Sequence, residues 1–219
     1  MALYIDSAFL DDIIPVAKTV PVAGVTTNPT LLLAAYERGQ RLEPLNLLQE
    51  LLKNVDGTIF IQPGSETEDE MLKESLMYIQ VAADRVIPKI PMTQIGMRVA
   101  LRLRSLDSRI AFTAVTSVAQ AYSAAMAGAD FIIPYFNRLE RAGINASERI
   151  AQMAEVVRNQ KARILAASIK SPLEAAAALL ARAHDLTVTP QVLQEMVVDP
   201  QSEQAIERFT RDWQKMKIL

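Results

Sequence analysis

The chain has no cysteine. That excludes a disulfide framework, a thiolate nucleophile and a cysteine-ligated metal. It has a single histidine, His184. A serine–histidine–acid triad would have to use it, and a zinc site could draw on one imidazole at most. The seven glycines, Gly24, Gly39, Gly57, Gly64, Gly96, Gly128 and Gly143, stand apart from one another. Neither a phosphate-cradling loop nor a dinucleotide fingerprint can be built from them. No apolar run approaches the ~18 residues of a membrane span. The segment Met1-Ala2-Leu3-Tyr4-Ile5-Asp6 lacks a basic region followed by an apolar stretch. No signal peptide and no membrane partner are therefore expected, and the expected location is cytoplasmic. A net charge of −2 over 219 residues offers no polybasic surface, so nucleic acid is not an expected partner either.

Half of the residues are hydrophobic, enough for a large core. No linker rich in Pro, Gly or Ser and no charge block interrupts the chain, which predicts one domain over 1–219. Short apolar runs recur at 3–6, 23–26, 58–62, 85–90, 109–113, 130–134, 163–167 and 186–189. Several are continuous rather than alternating, as strands buried on both faces should be. Amphipathic stretches lie between them. The stretch 65–83 is acidic early (Glu66, Glu68, Asp69, Glu70), which suits a helix N-terminus. In 145–160, Ile150, Met153 and Val157 share one helical face. The stretch 172–183 opens on Ser-Pro. A last helix over 202–216 carries Ile206, Phe209 and Trp213 on one stripe, suited to pack on the barrel or on a neighbouring subunit. Regular β-then-α alternation predicts an α/β fold with a parallel sheet. Eight units in so short a chain predict a single (β/α)8 barrel with an extra C-terminal helix.

Polar residues gather at the strand C-termini: Asp6, then Thr26-Thr27-Asn28, Gln62, Lys89, Thr113, Tyr135 with Arg138, and Ser168 with Lys170. In a barrel these positions converge on one rim, where barrel enzymes hold their active sites. Loop starts are commonly polar, which accounts for Thr, Asn and Ser. It does not account for Lys89 and Gln62, which sit within or at the edge of apolar strands. Lys89 lies among Ile87, Pro88, Ile90 and Pro91. Burial lowers a lysine pKa, and the neutral amine is a nucleophile toward a carbonyl. The competing reading is a structural ion pair with Asp6. Arg138, Ser168 and Lys170 can hold a phosphate through charge-assisted hydrogen bonds. Alone, Arg138 would better suit a rim salt bridge with Glu140. His184 reads as a solvated or capping residue, and the methionines as core filler.

With these residues in view, the chain resembles the transaldolase family, in its short branch with fructose-6-phosphate aldolase. The resemblance spans essentially the whole length. It rests on Leu3-Tyr4-Ile5-Asp6, on Ala23-Gly24-Val25-Thr26-Thr27-Asn28-Pro29-Thr30, on Lys89-Ile90-Pro91-Met92-Thr93, on Leu165-Ala166-Ala167-Ser168-Ile169-Lys170 and on Phe209-Thr210-Arg211-Asp212-Trp213. It implies a Schiff base on Lys89, with no metal and no cofactor. Asp6 and Asn28, beside Thr27, would meet the dihydroxyacetone unit; Arg138 and Ser168 would meet the phosphate. It also implies sugar-phosphate substrates and a decamer of two five-membered rings, the last helix reaching a neighbour. Transaldolases of this size resemble a pattern with Glu on the third strand and Phe after the sixth. This chain has Gln62 and Tyr135 there, as the aldolase branch does, and Thr113-Ala114-Val115 also matches that branch. Tyr135 would then be the proton relay, with Gln62 and Thr113 holding a water. The Gln62-Pro63-Gly64 and Thr116-Ser117 segments depart from the aldolase pattern. Three rivals stay open: transaldolase proper, a non-catalytic sugar-phosphate-binding barrel, and a metal-dependent aldolase, for which a ligand set is missing.

Overall fold

A computed structural model describes residues 1–217. Its first half runs β1 (Ala2–Asp6), α1 (Leu10–Thr19), β2 (Gly24–Thr26), α2 (Pro29–Glu37), α3 (Pro44–Asn54), β3 (Thr58–Ile61), α4 (Glu68–Val81), β4 (Val86–Pro91) and α5 (Gln94–Arg104). The second half runs β5 (Ala111–Val115), α6 (Val118–Met126), β6 (Phe131–Pro134), α7 (Phe136–Arg141), α8 (Ala146–Val156), β7 (Arg163–Ile169), α9 (Pro172–Leu180), β8 (Asp185–Val188), α10 (Pro190–Glu195) and α11 (Pro200–Met216). The strands close in chain order into one parallel barrel, β8 pairing with β1. The expected (β/α)8 architecture with its extra C-terminal helix is what the chain forms. No helix among the described residues is long and apolar enough to cross a membrane.

The strand period of two divides the apolar residues into two layers. Tyr4, Phe60, Ile87, Ala111, Phe131, Ile133, Leu165 and Ala167 fill the barrel interior. Their neighbours Ile5, Val25, Ile59, Ile90, Phe112, Ile132, Ile164 and Val188 face outward under the helices. Phe60 sits at the centre of the interior, with edge-to-face contacts to Tyr4 at 5.2 Å and Phe131 at 5.0 Å between ring centroids.

Local chemistry sets the element ends. Thr67 caps α4, Thr93 caps α5, Ser117 caps α6 in a capping box, and Ser171 caps α9. Because Thr67 is the cap, α4 begins at Glu68 rather than at the expected 65, and Ser65 belongs to the loop before it. Where β2 and β3 start, the backbones nearly touch. A Cβ on Gly24 (φ 141°) would lie 1.9 Å from the Thr58 carbonyl oxygen. At the opposite end from the polar rim, the buried Asp185 carboxylate seals the seam between β1, β7 and β8. It accepts hydrogen bonds from the Ala2 amide at 2.6 Å and from Arg163 at 2.6 and 2.7 Å.

Two expectations need revising, and a third holds. Ile206, Phe209 and Trp213 on α11 are 61, 60 and 57% exposed, so this stripe does not pack on its own barrel. Met77 and Met126 are exposed, so methionine is core filler only at places such as Met71 and Met153. His184 does cap: its Nδ1 accepts from the Ile164 amide at 2.9 Å, tying the start of β8 to β7.

Candidate active site

On five strands an interior residue is followed, two positions later, by a polar one. Tyr4 leads to Asp6, Phe60 to Gln62, Ile87 to Lys89, Ala111 to Thr113 and Ile133 to Tyr135. The alternation that packs the core thus aims these side chains at the C-terminal mouth of the barrel.

Lys89 is 1% exposed, and its Nζ donates to the Thr27 carbonyl at 2.8 Å. Burial pushes the Lys89 ammonium down from the ordinary lysine range; Asp6 opposes the shift and Arg138 adds to it. No carboxylate forms an ion pair with Lys89 among the described residues. The structural ion pair with Asp6 is therefore not what the chain forms. Asp6 instead accepts from Thr26 Oγ1 at 2.7 Å, and Thr26 Oγ1 lies 2.6 Å from Thr187 Oγ1. Thr26 has one hydroxyl proton and spends it on Asp6, so Thr187 donates to Thr26. This chain of hydroxyls orients the carboxylate.

Thr27 has a different part from the one expected. Its side chain is buried and donates to the Phe60 carbonyl at 3.1 Å, away from the cavity. It offers its own carbonyl to Lys89 and no side-chain atom to a ligand. Asn28 caps α2, its Oδ1 accepting from the Leu31 amide at 3.0 Å. The Nδ2 group is left to donate toward the cavity.

Tyr135 lies at the junction of β6 and α7, its hydroxyl 2.6 Å from Thr113 Oγ1. Burial raises the Tyr135 phenol above its usual range, against the Thr113 hydrogen bond and the Arg138 charge, so it is protonated near neutrality. The Arg138 guanidinium stacks over the Tyr135 ring at 4.5 Å. Arg138 pairs with no carboxylate among the described residues, and Glu140 instead accepts from the Ala146 amide at 2.7 Å. The rim salt bridge between Arg138 and Glu140 is not made.

Two cavities meet at Arg138, Tyr135, Asn28 and Thr30. One, of about 120 Å³, contains Lys89 with Asp6, Ser168 and Lys170. The other, of about 260 Å³, contains Gln62, Thr113 and Ala114. Two bulges shape the walls. Ala114 (φ 59°) breaks the β5–β6 register and Ser168 (φ 58°) the β7–β8 register. Left-handed backbone at a non-glycine residue costs of order 1–3 kcal/mol, and it clusters at functional sites. At Ser168 the bulge turns a residue that strict alternation would place outward into the cavity. Thr187, Ala114 and Thr30 carried no role in the sequence reading. Only the inward parity of Thr187 on β8 could have signalled the first. No group of three or more His, Asp or Glu side chains that could hold a metal occurs among the described residues.

The arrangement combines a buried lysine of depressed pKa, an oriented carboxylate, a protonated phenol and a guanidinium unpaired among the described residues around one small volume. A pattern described as transaldolase/fructose-6-phosphate aldolase matches residues 3–218. A probable transaldolase from Symbiobacterium thermophilum is 35% identical, with 99% of both chains aligned. A probable fructose-6-phosphate aldolase from Streptococcus pneumoniae is 32% identical over 97% of this chain and 96% of its own. The crystal structure of inosine 5′-monophosphate dehydrogenase from Legionella pneumophila superposes with a TM-score of 0.59 at 15% identity. It covers 86% of this chain and 58% of that one, a likeness of fold alone. On the match along nearly its entire length, the chain belongs to the transaldolase/fructose-6-phosphate aldolase family.

Proposed function

We propose that this enzyme is a class I aldolase that cleaves fructose 6-phosphate to dihydroxyacetone and glyceraldehyde 3-phosphate, and runs in reverse. The observation that carries the reading is Lys89, buried, depressed in pKa and held by one carbonyl beside a protonated tyrosine. A neutral amine in an apolar wall is poised to add to a ketone.

The protons balance through one phenol. Lys89 Nζ adds to C2 of the ketose, and Tyr135 protonates the departing oxygen as water, leaving an iminium and a phenolate. The phenolate, through a bridging water, takes the C4 hydroxyl proton. The C3–C4 pair then flows into the iminium, giving an enamine, and the aldehyde leaves. Tyr135 next returns a proton to C3 through the same water. Water adds to the new iminium, gives its proton back to Tyr135, and dihydroxyacetone departs from the free amine. Asp6 and the Nδ2 of Asn28 hold the hydroxyls of the three-carbon unit. Arg138, Ser168 and Lys170 bind the phosphate. Gln62 and Thr113 position the water. A Glu at position 62 could shuttle the proton itself, whereas Gln orients a water without titrating.

The transferase reading, in which the enamine passes to a second sugar phosphate such as erythrose 4-phosphate, is supported by the name of the Symbiobacterium thermophilum relative. Both share the Lys89 enamine and differ in what accepts it. Fructose 6-phosphate cleavage with no acceptor present is the deciding assay. Turnover is expected. Product formed only when erythrose 4-phosphate is added would replace the aldolase with the transferase. Borohydride reduction in the presence of dihydroxyacetone should add mass to the peptide carrying Lys89. An unlabelled peptide would end the Schiff-base reading and leave a binding barrel.

A further inference from the structure

Gln62 follows β3 directly, and nothing in its own side chain holds it. Its position comes from the segment it opens. Upstream, the Phe60 carbonyl takes hydrogen bonds from both the amide and the hydroxyl of Thr27, at 2.9 and 3.1 Å. Downstream, Pro63 is buried and its ring fixes its own φ, and the next two residues are clamped by one carboxylate. Glu74, two turns along α4, reaches back over the loop. It accepts from the Gly64 amide at 3.0 Å, the Ser65 amide at 3.1 Å and the Ser65 hydroxyl at 2.8 Å. Its other oxygen accepts from the Tyr78 hydroxyl at 2.6 Å, and Tyr78 is itself 1% exposed. A helix residue therefore anchors the loop to the helix, and through Tyr78 to the core.

We propose that Glu74 is a positioning residue for the reaction, fixing Gln62 and hence the water through which Tyr135 and the substrate carbon exchange a proton. The inference rests on the aldolase reading above. Neutral donors alone surround the carboxylate in this clamp: two amides and two hydroxyls, from the loop and from α4. Burial pushes Glu74 up, but the hydrogen bonds from Tyr78, Gly64 and Ser65 outweigh it and hold the carboxyl below the usual carboxylate range. It is ionised near neutrality, so it serves as a fixed clamp and not as a proton carrier.

The geometry separates two halves of the cycle. Lys89 is tethered to Thr27, just past β2, and Thr27 is held by the Phe60 carbonyl within β3 rather than by the loop after it, so loosening the loop leaves iminium formation intact. The step it weakens is proton exchange at C3 of the enamine, in which the water gives its proton to carbon and is replenished by the Tyr135 phenol. The experiment uses the full chain with Glu74→Gln, which keeps the size but turns half of the acceptor into a donor facing amide N–H groups. With dihydroxyacetone as probe, borohydride labelling of Lys89 is expected to stay within about twofold of wild type, while solvent deuterium incorporation at the carbon next to the carbonyl falls roughly tenfold, as a small displacement of a catalytic group does. Ser65→Ala, which deletes one of the four hydrogen bonds and spares the carboxylate, is expected to give a smaller loss of the same kind. A double-mutant cycle with Gln62→Ala separates positioning from mere stability. If Glu74 acts through Gln62, then Glu74→Gln costs little further exchange in the Gln62→Ala background. An equal loss in both backgrounds would overturn the proposal, as would a lowered Tm with deuterium exchange unchanged. Failure of wild-type Lys89 to label would instead count against the Schiff-base reading on which it stands.

Discussion

Burying Lys89 disfavours its ammonium, and the hydrogen bond it makes is to a single carbonyl. In the unfolded chain the lysine binds a proton up to about its ordinary value of 10.5. The folded chain releases it at lower pH. Between the two values the unfolded state holds more protons, so this residue's cost to stability shrinks as pH rises. Lys89→Met should abolish activity, and its Tm relative to wild type should fall as the buffer moves from about pH 7 toward about pH 10. A pH-independent difference would mean that Lys89 titrates like a surface lysine. Tyr135→Phe keeps the ring under Arg138 and removes the proton beside Thr113. Turnover should drop by roughly 10²–10⁴-fold, the usual worth of a general acid–base group, and borohydride trapping of Lys89 should slow, because Tyr135 also protonates the departing oxygen. Trapping at the wild-type rate in that variant would confine Tyr135 to the later proton relay and leave the departing oxygen to another acid. Both residues were legible in the sequence, since a Lys inside an apolar strand and a polar residue just past a strand end are visible without coordinates. Thr27 was misread because spacing shows which residue stands at the rim and not which atom of it faces inward.

At the scale of elements, the barrel depends on two close contacts that the sequence shows only as an ordinary glycine and a lone histidine. Gly24→Ala would drive a Cβ into the Thr58 carbonyl where β2 meets β3. Neither backbone can retreat without breaking the ladder, so a loss of about 3 kcal/mol or more in denaturant unfolding is expected. A near-neutral result would show that the strands can separate there. His184 accepts the Ile164 amide through Nδ1, and burial, with the Arg163 charge, holds its pKa below the ordinary 6.5. The unfolded histidine therefore binds a proton first as pH falls below that value, and the β7–β8 junction loses stability. His184→Asn should flatten this part of the Tm–pH profile between about pH 7 and 5.5, where wild type declines. An unchanged slope would assign the acid sensitivity to carboxylates instead.

At the scale of the whole molecule, α11 stands out. Ile206, Phe209, Trp213 and Met216 form one exposed apolar stripe on a helix none of whose residues is buried. An unpartnered stripe of this kind marks an interaction surface, and a second copy of the chain is the occupant the family resemblance implies. Light scattering after size exclusion should give an oligomer for wild type and smaller species for Phe209→Ser/Trp213→Ser. Identical masses for the two would remove α11 from the assembly.

The sequence by itself determined the barrel and the candidate nucleophile. Eight apolar runs separated by amphipathic stretches leave few ways to bury both faces of every strand, and closure in chain order is the economical one. It also determined which residues stand at the strand ends. Only the tertiary structure decided how those residues divide the work. Long-range hydrogen bonds turned Thr27 into a carbonyl tether, linked Thr187 to Asp6 through Thr26, and brought Glu74 back over the Gln62 loop. The bulges at Ala114 and Ser168 are likewise invisible to periodicity, because a bulge is a change of register between two strands and belongs to neither alone. Pattern along a chain records which face a residue takes, while partners distant in sequence are chosen by closure of the fold.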